Sequence, residues 1–350
     1  MSARAFRIER GGLAGACLAL AALAALAAAP AFAGSANLGL LSQIFAYIAL
    51  ASLWNLLAGF SGLVSVGQQA YVGLGGYSLF ALTMFGGLHP LVAALLSGVL
   101  AVILSFPVAA LLFRLRGAYF AIGSWVMAEV FRLIAAQIKP LGGGSGASLP
   151  TIIVTGMASS RQAREFMIYW SSLALVALVL GLTIWLLRSR WGLALRAIHF
   201  NETAADSCGI EITRVKFVVY AVAAFGTALA GALIFLQKLR ISPDAAFNVN
   251  DWTAFVIFMT VIGGIGRIEG PVIGAIIFFA LRETLSDLGP LYLLMLGAVA
   301  IVAMLKAPKG VWGYLVDKTG FEFAPLERRI VYSLNEGNNP AAPDSKGDRP

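Results

Sequence analysis

The chain has 350 residues, of which 59% are hydrophobic and 12% are charged, and its mean hydropathy is +0.85. An ordinary soluble domain is about 25% charged, so this chain has too little polar surface for a water-soluble globule, and lipid must surround most of it. The formal net charge is +8. In a membrane protein this indicates Lys and Arg on the cytoplasmic face. Nucleic-acid binding is not expected, because no basic stripe interleaves with aromatic residues.

The first 34 residues combine a basic start, a long apolar run and the small-residue sequence AFAG. That pattern is typical of a cleaved signal peptide. The apolar run covers residues 12–33, which at ~1.5 Å per residue is long enough to cross a ~30 Å bilayer core. We therefore expect a retained first span, with cleavage before Gly34 as the alternative.

Apolar segments recur along the whole chain and predict an all-α integral membrane protein, a polytopic bundle of about ten transmembrane helices. They lie at 12–33, 40–58, 66–86, 90–113, 117–138, 167–187, 216–237, 252–265, 271–285 and 290–306. With both termini inside, 18 of the 25 Lys and Arg residues fall on the inner side and five in outer loops. This bias predicts an N-in, C-in topology.

Composition also predicts the division of the chain. Residues 1–320 form the transmembrane domain, which includes a polar inner loop at 188–215, and the polar, Pro-rich residues 321–350 form a cytoplasmic tail that we expect to be disordered. The longest outer loop, 139–166, is rich in glycine and shows no clear helix or strand pattern. It could serve as a flexible linker or as a docking surface.

Motifs for covalent chemistry are missing from the sequence. It contains no nucleotide-binding P-loop and no hydrolase or zinc-protease motif. Cys17 and Cys208 fall in different segments, and His89 and His199 have no plausible ligand partner nearby, so we expect no disulfide and no metal site. The sequence therefore predicts no catalytic residues and no cofactor.

One ion pair is predicted inside a span. Glu129 and Arg132 are three residues apart and share a face of the fifth predicted helix. A lone charge at the centre of a span costs about 2.5–3.5 kcal/mol on insertion scales, so we expect the two side chains to pair. They could form a structural ion pair, or a polar element beside a translocation path.

Two glycine-rich stretches, 59–78 and 263–275, interrupt or flank apolar spans in the two halves of the chain. Broken spans at corresponding places point to a substrate path in transporters. The glycines could instead allow close helix packing. The path candidates from the first stretch are Ser61, Ser65, Gln68, Gln69 and Tyr71. The glycine-rich signature of the second consists of Gly263, Gly264, Gly266, Gly270, Pro271 and Gly274.

Four segments in this order resemble the permease subunits of branched-chain amino acid ABC importers of the LivM type. They are NLLAGFSGLVSVGQQAYVGLGGY (55–77), RGAYFAIGSWVMAEVFRL (116–133), RSRWGLALRAIHFNETAADSCGI (188–210) and VIGGIGRIEGPVIGA (261–275). The resemblance covers residues 38–314 and rests on the ordered set rather than on any one motif.

The resemblance implies a multi-pass protein of the bacterial inner membrane that works in a complex. Its partners would be two cytoplasmic ATPase subunits, a second related permease and an extracytoplasmic substrate-binding protein, with membrane lipid around it. The chain itself would not be an enzyme, because the ATPase chains hydrolyse ATP. Relatives of this design could also carry urea, amides or other small solutes. From the residues alone, an ATP-independent carrier stays open.

The segment 201–209 resembles the cytoplasmic signature of importer permeases, E-A-A followed by three residues and a glycine. Thr203 departs from the acidic position, and Glu202 lies one residue earlier. Asn201 is a good N-cap, and Gly209 is a typical helix stop. We therefore expect a short ATPase-coupling helix that needs a partner surface, or else a short helix packed on its own loops. Its candidate residues are Asn201, Glu202, Ala204, Ala205, Asp206 and Gly209.

Overall fold

The computed structural model describes residues 21–32, 34–158, 160–285, 291–306 and 310–319. These residues are helical throughout, apart from connecting segments and one pair of two-residue strands. The prediction of an all-α membrane protein is therefore confirmed. Much of the first predicted span and the whole predicted tail, 321–350, lie outside the described residues.

The helices follow one another with short connections. They are α1 (21–28), α2 (Ser35–Asn55), α3 (Gln68–Met84), α4 (Pro90–Leu112), α5 (Ala118–Gln137), α6 (Thr151–Met157), α7 (Arg161–Arg188), α8 (Arg190–Phe200), α9 (Glu202–Ser207), α10 (Ile212–Lys238), α11 (Pro243–Ala246), α12 (Phe255–Gly263), α13 (Gly270–Leu285), α14 (Leu291–Lys306) and α15 (Gly310–Thr319). The π-helical turns Leu56–Phe60 and Asn250–Ala254 continue α2 and precede α12.

Seven helical stretches of the described chain are long and apolar enough to cross a membrane. They are Ala36–Phe60, Pro90–Leu112, Ala118–Gln137, Arg161–Arg188, Ile212–Lys238, Pro243–Gly263 and Leu294–Val316, of which the last includes residues 307–309, outside the described residues. Two further predicted spans correspond to α3 and α13, which have only 17 and 16 residues. Each of these shorter helices follows a glycine-rich break. The ten-span, N-in, C-in topology stays a prediction.

The helix connections define two ends of the bundle. At one end β1 (Ala147–Ser148) pairs antiparallel with β2 (Arg240–Ile241), directly after α10; we call this the strand end. The start of α2 lies at the same end, because Gln237 Nε2 donates to the Gly39 carbonyl over 2.9 Å. At the opposite end α8 and α9 connect the end of α7 to the start of α10. We call it the α8–α9 end.

The outer loop 139–166 has more regular structure than its glycines indicated. It contains the 3₁₀ turns Lys139–Leu141 and Gly143–Ser145, strand β1 and helix α6. Gly146 has a positive φ of 80°, and a side chain there would meet the Ile241 carbonyl at 2.0 Å. The described part of this loop is therefore attached to the bundle through β2.

Helices α3 and α10 approach each other closely at the centre of the bundle. A Cβ on Gly75 would lie 1.9 Å from the Ala228 carbonyl oxygen, and one on Gly231 would lie 2.2 Å from the Val72 carbonyl oxygen. Small residues allow this approach, and it supplies the van der Waals contact that holds helices together in lipid. The glycines near this crossing therefore have a packing role.

We expect Gly75→Ala to destabilise the protein by about 1–3 kcal/mol, because the new methyl group has no space between the two backbones. The measurement is the midpoint of thermal unfolding of the purified protein in mild detergent. Gly181→Ala in α7 is the control, since a Cβ there meets no atom within 4 Å. Equal midpoints for the two variants would contradict the packing role.

Candidate functional site

The first glycine-rich stretch forms a break between α2 and α3. After the π-helical turn, loop 62–67 has no regular structure, and α3 begins only at Gln68. Side chains satisfy the loop backbone: the Trp54 indole donates to the Ser65 carbonyl over 2.7 Å, and the Val66 N–H donates to Ser124 Oγ over 2.9 Å. Because the loop is tied to residues of α2 and α5, α3 begins inside the bundle.

The two glutamines at the start of α3 point into the protein. Gln69 is buried, and its side-chain oxygen accepts a hydrogen bond from the Thr253 hydroxyl, beside α12. The Gln68 oxygen accepts from Thr227 of α10 over 3.4 Å. The Gln68 Nε2 is buried without a hydrogen bond to the described residues. These side chains link the broken first half of the chain to its second half.

The other three polar candidates are also buried and bonded within the chain. Ser61 Oγ donates to the Leu57 carbonyl over 2.6 Å, and Ser65 Oγ accepts from the Gly67 N–H over 3.2 Å. The Tyr71 hydroxyl donates to the hydroxyl of Tyr220 in α10 over 3.1 Å. All five polar candidates of the first stretch are therefore buried in the interior of the chain.

Glu129 and Arg132 lie elsewhere, on the outer surface of α5. Arg132 Nη2 is 2.6 Å from Glu129 Oε1, and Arg132 Nη1 is 2.8 Å from Asp244 Oδ1 in α11. The Glu129 side chain is 48% exposed and that of Asp244 is 82% exposed. The predicted pair is formed, but it faces away from the interior of this chain. Among the described residues, no hydrogen bond connects it to the five buried polar residues.

The exposed faces of α4 and α5 differ in chemistry. Every exposed residue of α4 is apolar, and its serines, Ser97 and Ser105, are buried. The exposed face of α5 carries Ile122, Trp125 and Leu133, but also the carboxylate of Glu129. Lipid suits the first surface, whereas a charge facing lipid within a span is costly.

The second glycine-rich stretch packs α12 against α13 through their backbones. A Cβ on Gly263 would lie 1.8 Å from the Gly270 carbonyl oxygen, and one on Gly274 would lie 1.7 Å from that of Met259. Pro271 is the second residue of α13. Between the helices Gly264 and Gly266 have positive φ angles of 129° and 76°. This stretch is a tight helical hairpin.

Asn55, the last residue of α2, connects the two glycine-rich breaks. Its Nδ2 donates to the Arg267 carbonyl over 2.7 Å, and its Oδ1 accepts from the Gly266 N–H over 2.8 Å. Gly59 lies beside this contact, because a Cβ there would be 2.6 Å from the Gly266 nitrogen. The bonded residues are 211 and 212 positions apart in sequence, so the two breaks meet at the α8–α9 end of α2.

The segment 201–209 has the local structure that its sequence predicts. Asn201 Oδ1 accepts from the Ala204 N–H over 3.1 Å and caps α9. Gly209 has a φ of 81°, and its N–H donates to the Asp206 carbonyl over 2.8 Å. Ala205 is buried against the bundle, whereas the rest of α9 is exposed. The six-residue helix is therefore held at both ends but packed on one face only.

Two apolar side chains of α8 are largely exposed at the α8–α9 end of the bundle. Phe200 is 87% exposed and Leu193 is 77% exposed, while Leu195 and Ile198 of the same helix are buried. Glu202 Oε1 pairs with Lys216 Nζ at 2.5 Å. This end of the bundle thus presents apolar residues among charges.

The structure adds partners that sequence reasoning missed. They are Asn55, Thr227, Thr253, Tyr220 and Asp244, each bonded to a predicted residue or break. Asn55 directly precedes the first break. As a polar residue in an apolar span, it could have been identified from the sequence as a candidate. The other four gave no comparable signal, since their roles depend on helices that are distant in sequence.

Helices of this length and composition, broken at two glycine-rich stretches, define a multi-pass integral membrane protein. Its similarity to bacterial permeases places it in the inner membrane. A family model described as branched-chain amino acid transport system / permease component matches residues 36–304. The chain belongs to this permease family, and the resemblance stated from its motifs is confirmed.

Curated proteins similar to this chain are also permeases. The high-affinity branched-chain amino acid permease LivM of Salmonella typhimurium is 28% identical over 305 residues, 79% of this chain and 70% of the relative. A probable LivM of Methanocaldococcus jannaschii is 27% identical over 70% of this chain and 76% of its own length. The ribose import permease RbsC of Bacillus subtilis is 34% identical over 37% of this chain and 43% of its own. No solved structure matches the chain.

Proposed function

We propose that this chain is the membrane-spanning subunit of an ATP-driven importer for branched-chain or other hydrophobic amino acids. The observation that carries the cargo assignment is the extent of similarity. The match to a LivM permease covers 79% of the chain, whereas the match to a ribose permease covers 37%. A sugar, urea or amide importer of the same design is the second candidate, because sugar permeases do match part of the chain.

The orientation follows from charge. The α8–α9 end carries Arg188, Arg190, Arg196, Arg214 and Lys216 within or beside its connecting helices. Positively charged residues collect in cytoplasmic loops, so we place this end in the cytoplasm and the strand end outside. This placement agrees with the N-in, C-in topology predicted from the sequence, which rests on the same charges.

The α8–α9 end is also suited to contact an ATPase. A six-residue helix is too short to be stable in isolation, and Ala205 is the one residue of α9 that is buried against the chain. The exposed Phe200 and Leu193 beside it are anchors of the kind that bury into a partner's groove. We propose that two ATPase subunits dock at these ends of two permeases, with the coupling residues between Asn201 and Gly209.

The charged face of α5 supports a path between two permeases. Glu129, Arg132 and Asp244 form a polar group at an exposed surface within or beside spans. A second permease that covers α5 would enclose this group in a water-containing path and leave the apolar face of α4 to lipid. The five polar candidates of the first break would join the path only when α3 separates from α10, because their hydrogen bonds are made within the chain.

Extraction of the tagged native complex in mild detergent tests the proposed function. We expect ATPase subunits and a second permease to co-purify. The reconstituted complex with its binding protein should take up leucine only with ATP, and excess isoleucine should compete while ribose and urea do not. Full uptake by the isolated chain, driven by an ion gradient, would refute the importer. Competition by ribose or urea alone would reassign the cargo.

We expect Glu129→Gln to reduce uptake about tenfold, which corresponds to about 1.4 kcal/mol, because Arg132 then keeps its charge with only the exposed Asp244 as a carboxylate partner. The complex should still assemble. Glu165→Gln is the control, since it changes another Glu–Arg pair, formed with Arg161 at 3.0 Å near the start of α7. Normal uptake by Glu129→Gln would show that the Glu129–Arg132 pair has only a structural role.

We expect Gly209→Pro to separate ATP hydrolysis from uptake, because proline fixes φ near −65° and has no N–H for the Asp206 carbonyl. Glu202→Lys should act in the same direction by placing two ammonium groups together at Lys216. The measurements are uptake and ATP hydrolysis per assembled complex. Arg161→Glu, a charge reversal near the strand end, is the control. Normal transport by both test variants would identify this segment as an ordinary loop.

A further inference from the structure

Asn55 uses both ends of its amide in one contact. The side chain is 2% exposed, and it binds two neighbouring backbone groups of loop 264–269, the Gly266 N–H and the Arg267 carbonyl. A buried amide that both donates and accepts in this way fixes position and orientation together. The end of α2 and loop 264–269 are therefore attached more firmly than apolar contact alone would attach them.

Gly59 shows how tight this contact is. A Cβ at position 59 would lie 2.4 Å from Asn55 Oδ1 and 2.6 Å from the Gly266 nitrogen. Gly266 itself has a φ of 76°, a conformation that side chains rarely adopt. The contact therefore depends on residues from both glycine-rich stretches as well as on Asn55.

The same end of α2 packs against α8, which in turn packs against α9. One buried hydrophobic cluster contains residues of the π-helical turn, of α8, of α9 and of loop 264–269. These members include Leu56, Leu57, Phe60, Leu195, Ile198, Ala205 and Ile268. In addition, the His199 ring lies 3.8 Å from the Cβ position of Gly62. A displacement of α9 would therefore reach the end of α2 through this cluster, because α8 contacts both α9 and the π-helical turn.

We propose that Asn55 is a positioning residue that transmits the movement of α8–α9 to α12 and α13. The inference rests on the proposed function, in which ATPase subunits act on α9. Apolar contacts in the cluster allow one helix to slide over another, whereas the two hydrogen bonds of Asn55 make loop 264–269 follow the end of α2. The π-helical turn directly after Asn55 is an irregularity often found at functional positions.

The test uses the complete complex with its ATPase subunits, second permease and binding protein in liposomes. Asn55→Leu keeps a side chain of similar size and removes both hydrogen bonds. We expect the number of solute molecules transported per ATP hydrolysed to fall by roughly 5- to 150-fold, the usual range for coupling between sites. ATP hydrolysis per assembled complex should persist.

Gln237→Leu is the matched control. It removes an amide-to-backbone hydrogen bond between α10 and α2 at the opposite end of the bundle, where Gln237 Nε2 donates to the Gly39 carbonyl. We expect this variant to keep the wild-type ratio of transport to hydrolysis, even where its thermal stability falls as much as that of Asn55→Leu.

Gly59→Ala provides a second variant that removes no hydrogen-bonding group. Its methyl group would displace Asn55 from Gly266, so the transport ratio should fall as it does for Asn55→Leu. Gly181→Ala is the control, because a Cβ at that position of α7 meets nothing within 4 Å. If Asn55→Leu does not assemble, Asn55→Asp is measured instead, since it keeps the acceptor for Gly266 and loses the donor to Arg267.

Two results would overturn the proposal. One is a wild-type ratio of transport to hydrolysis in the assembled Asn55 and Gly59 variants. The other is that transport and ATP hydrolysis both fall only as far as the amount of assembled complex falls. That is the outcome for a purely structural residue. Failure of the proposed function would differ from both, because the wild-type chain would then transport without ATPase subunits.

Discussion

The interior of a bilayer offers no water to unpaired backbone groups, and this constraint governs the arrangement of the chain. Each break in a spanning helix must find hydrogen-bond partners inside the protein. Trp54 and Ser124 supply partners for the first break, and Asn55 supplies them for the second. These bonds hold loop 62–67 against α2 and α5, and they hold the end of α2 beside loop 264–269. The breaks are therefore positions where the two halves of the bundle are connected.

Close backbone packing between helices also follows from the lipid environment. Lipid provides no hydrophobic force between helices, so van der Waals contact must hold them together. The glycines that crowd α3 against α10 and α12 against α13 allow that contact. The polar side chains at the start of α3 lie where these surfaces meet, with Gln68 and Gln69 bonded to threonines beyond them. Dense packing and the polar contacts between the two halves thus occur at one place in the fold, although Gln68 Nε2 has no hydrogen bond to the described residues.

The outer surfaces of the chain differ in whether lipid, water or another protein can cover them. The exposed side of α4 is uniformly apolar and suits lipid, whereas that of α5 carries the Glu129–Arg132–Asp244 group and suits protein or water. At the α8–α9 end, exposed Phe200 and Leu193 lie among arginines. Under the proposed function these three surfaces are the lipid face, the permease contact and the ATPase contact.

The sequence by itself determined the all-α membrane class, the permease family, the Glu129–Arg132 pair and the cap and stop of α9. Those features depend on composition, on ordered motifs or on residues within a few positions of each other, so local chemistry is sufficient to predict them. Only the tertiary structure decided that Ser61, Gln68 and their neighbours are internally bonded, that Glu129 faces outward, and that Asn55 connects two breaks more than 200 positions apart. These outcomes depend on which helices lie side by side, and a helix pattern in one segment does not specify its neighbours.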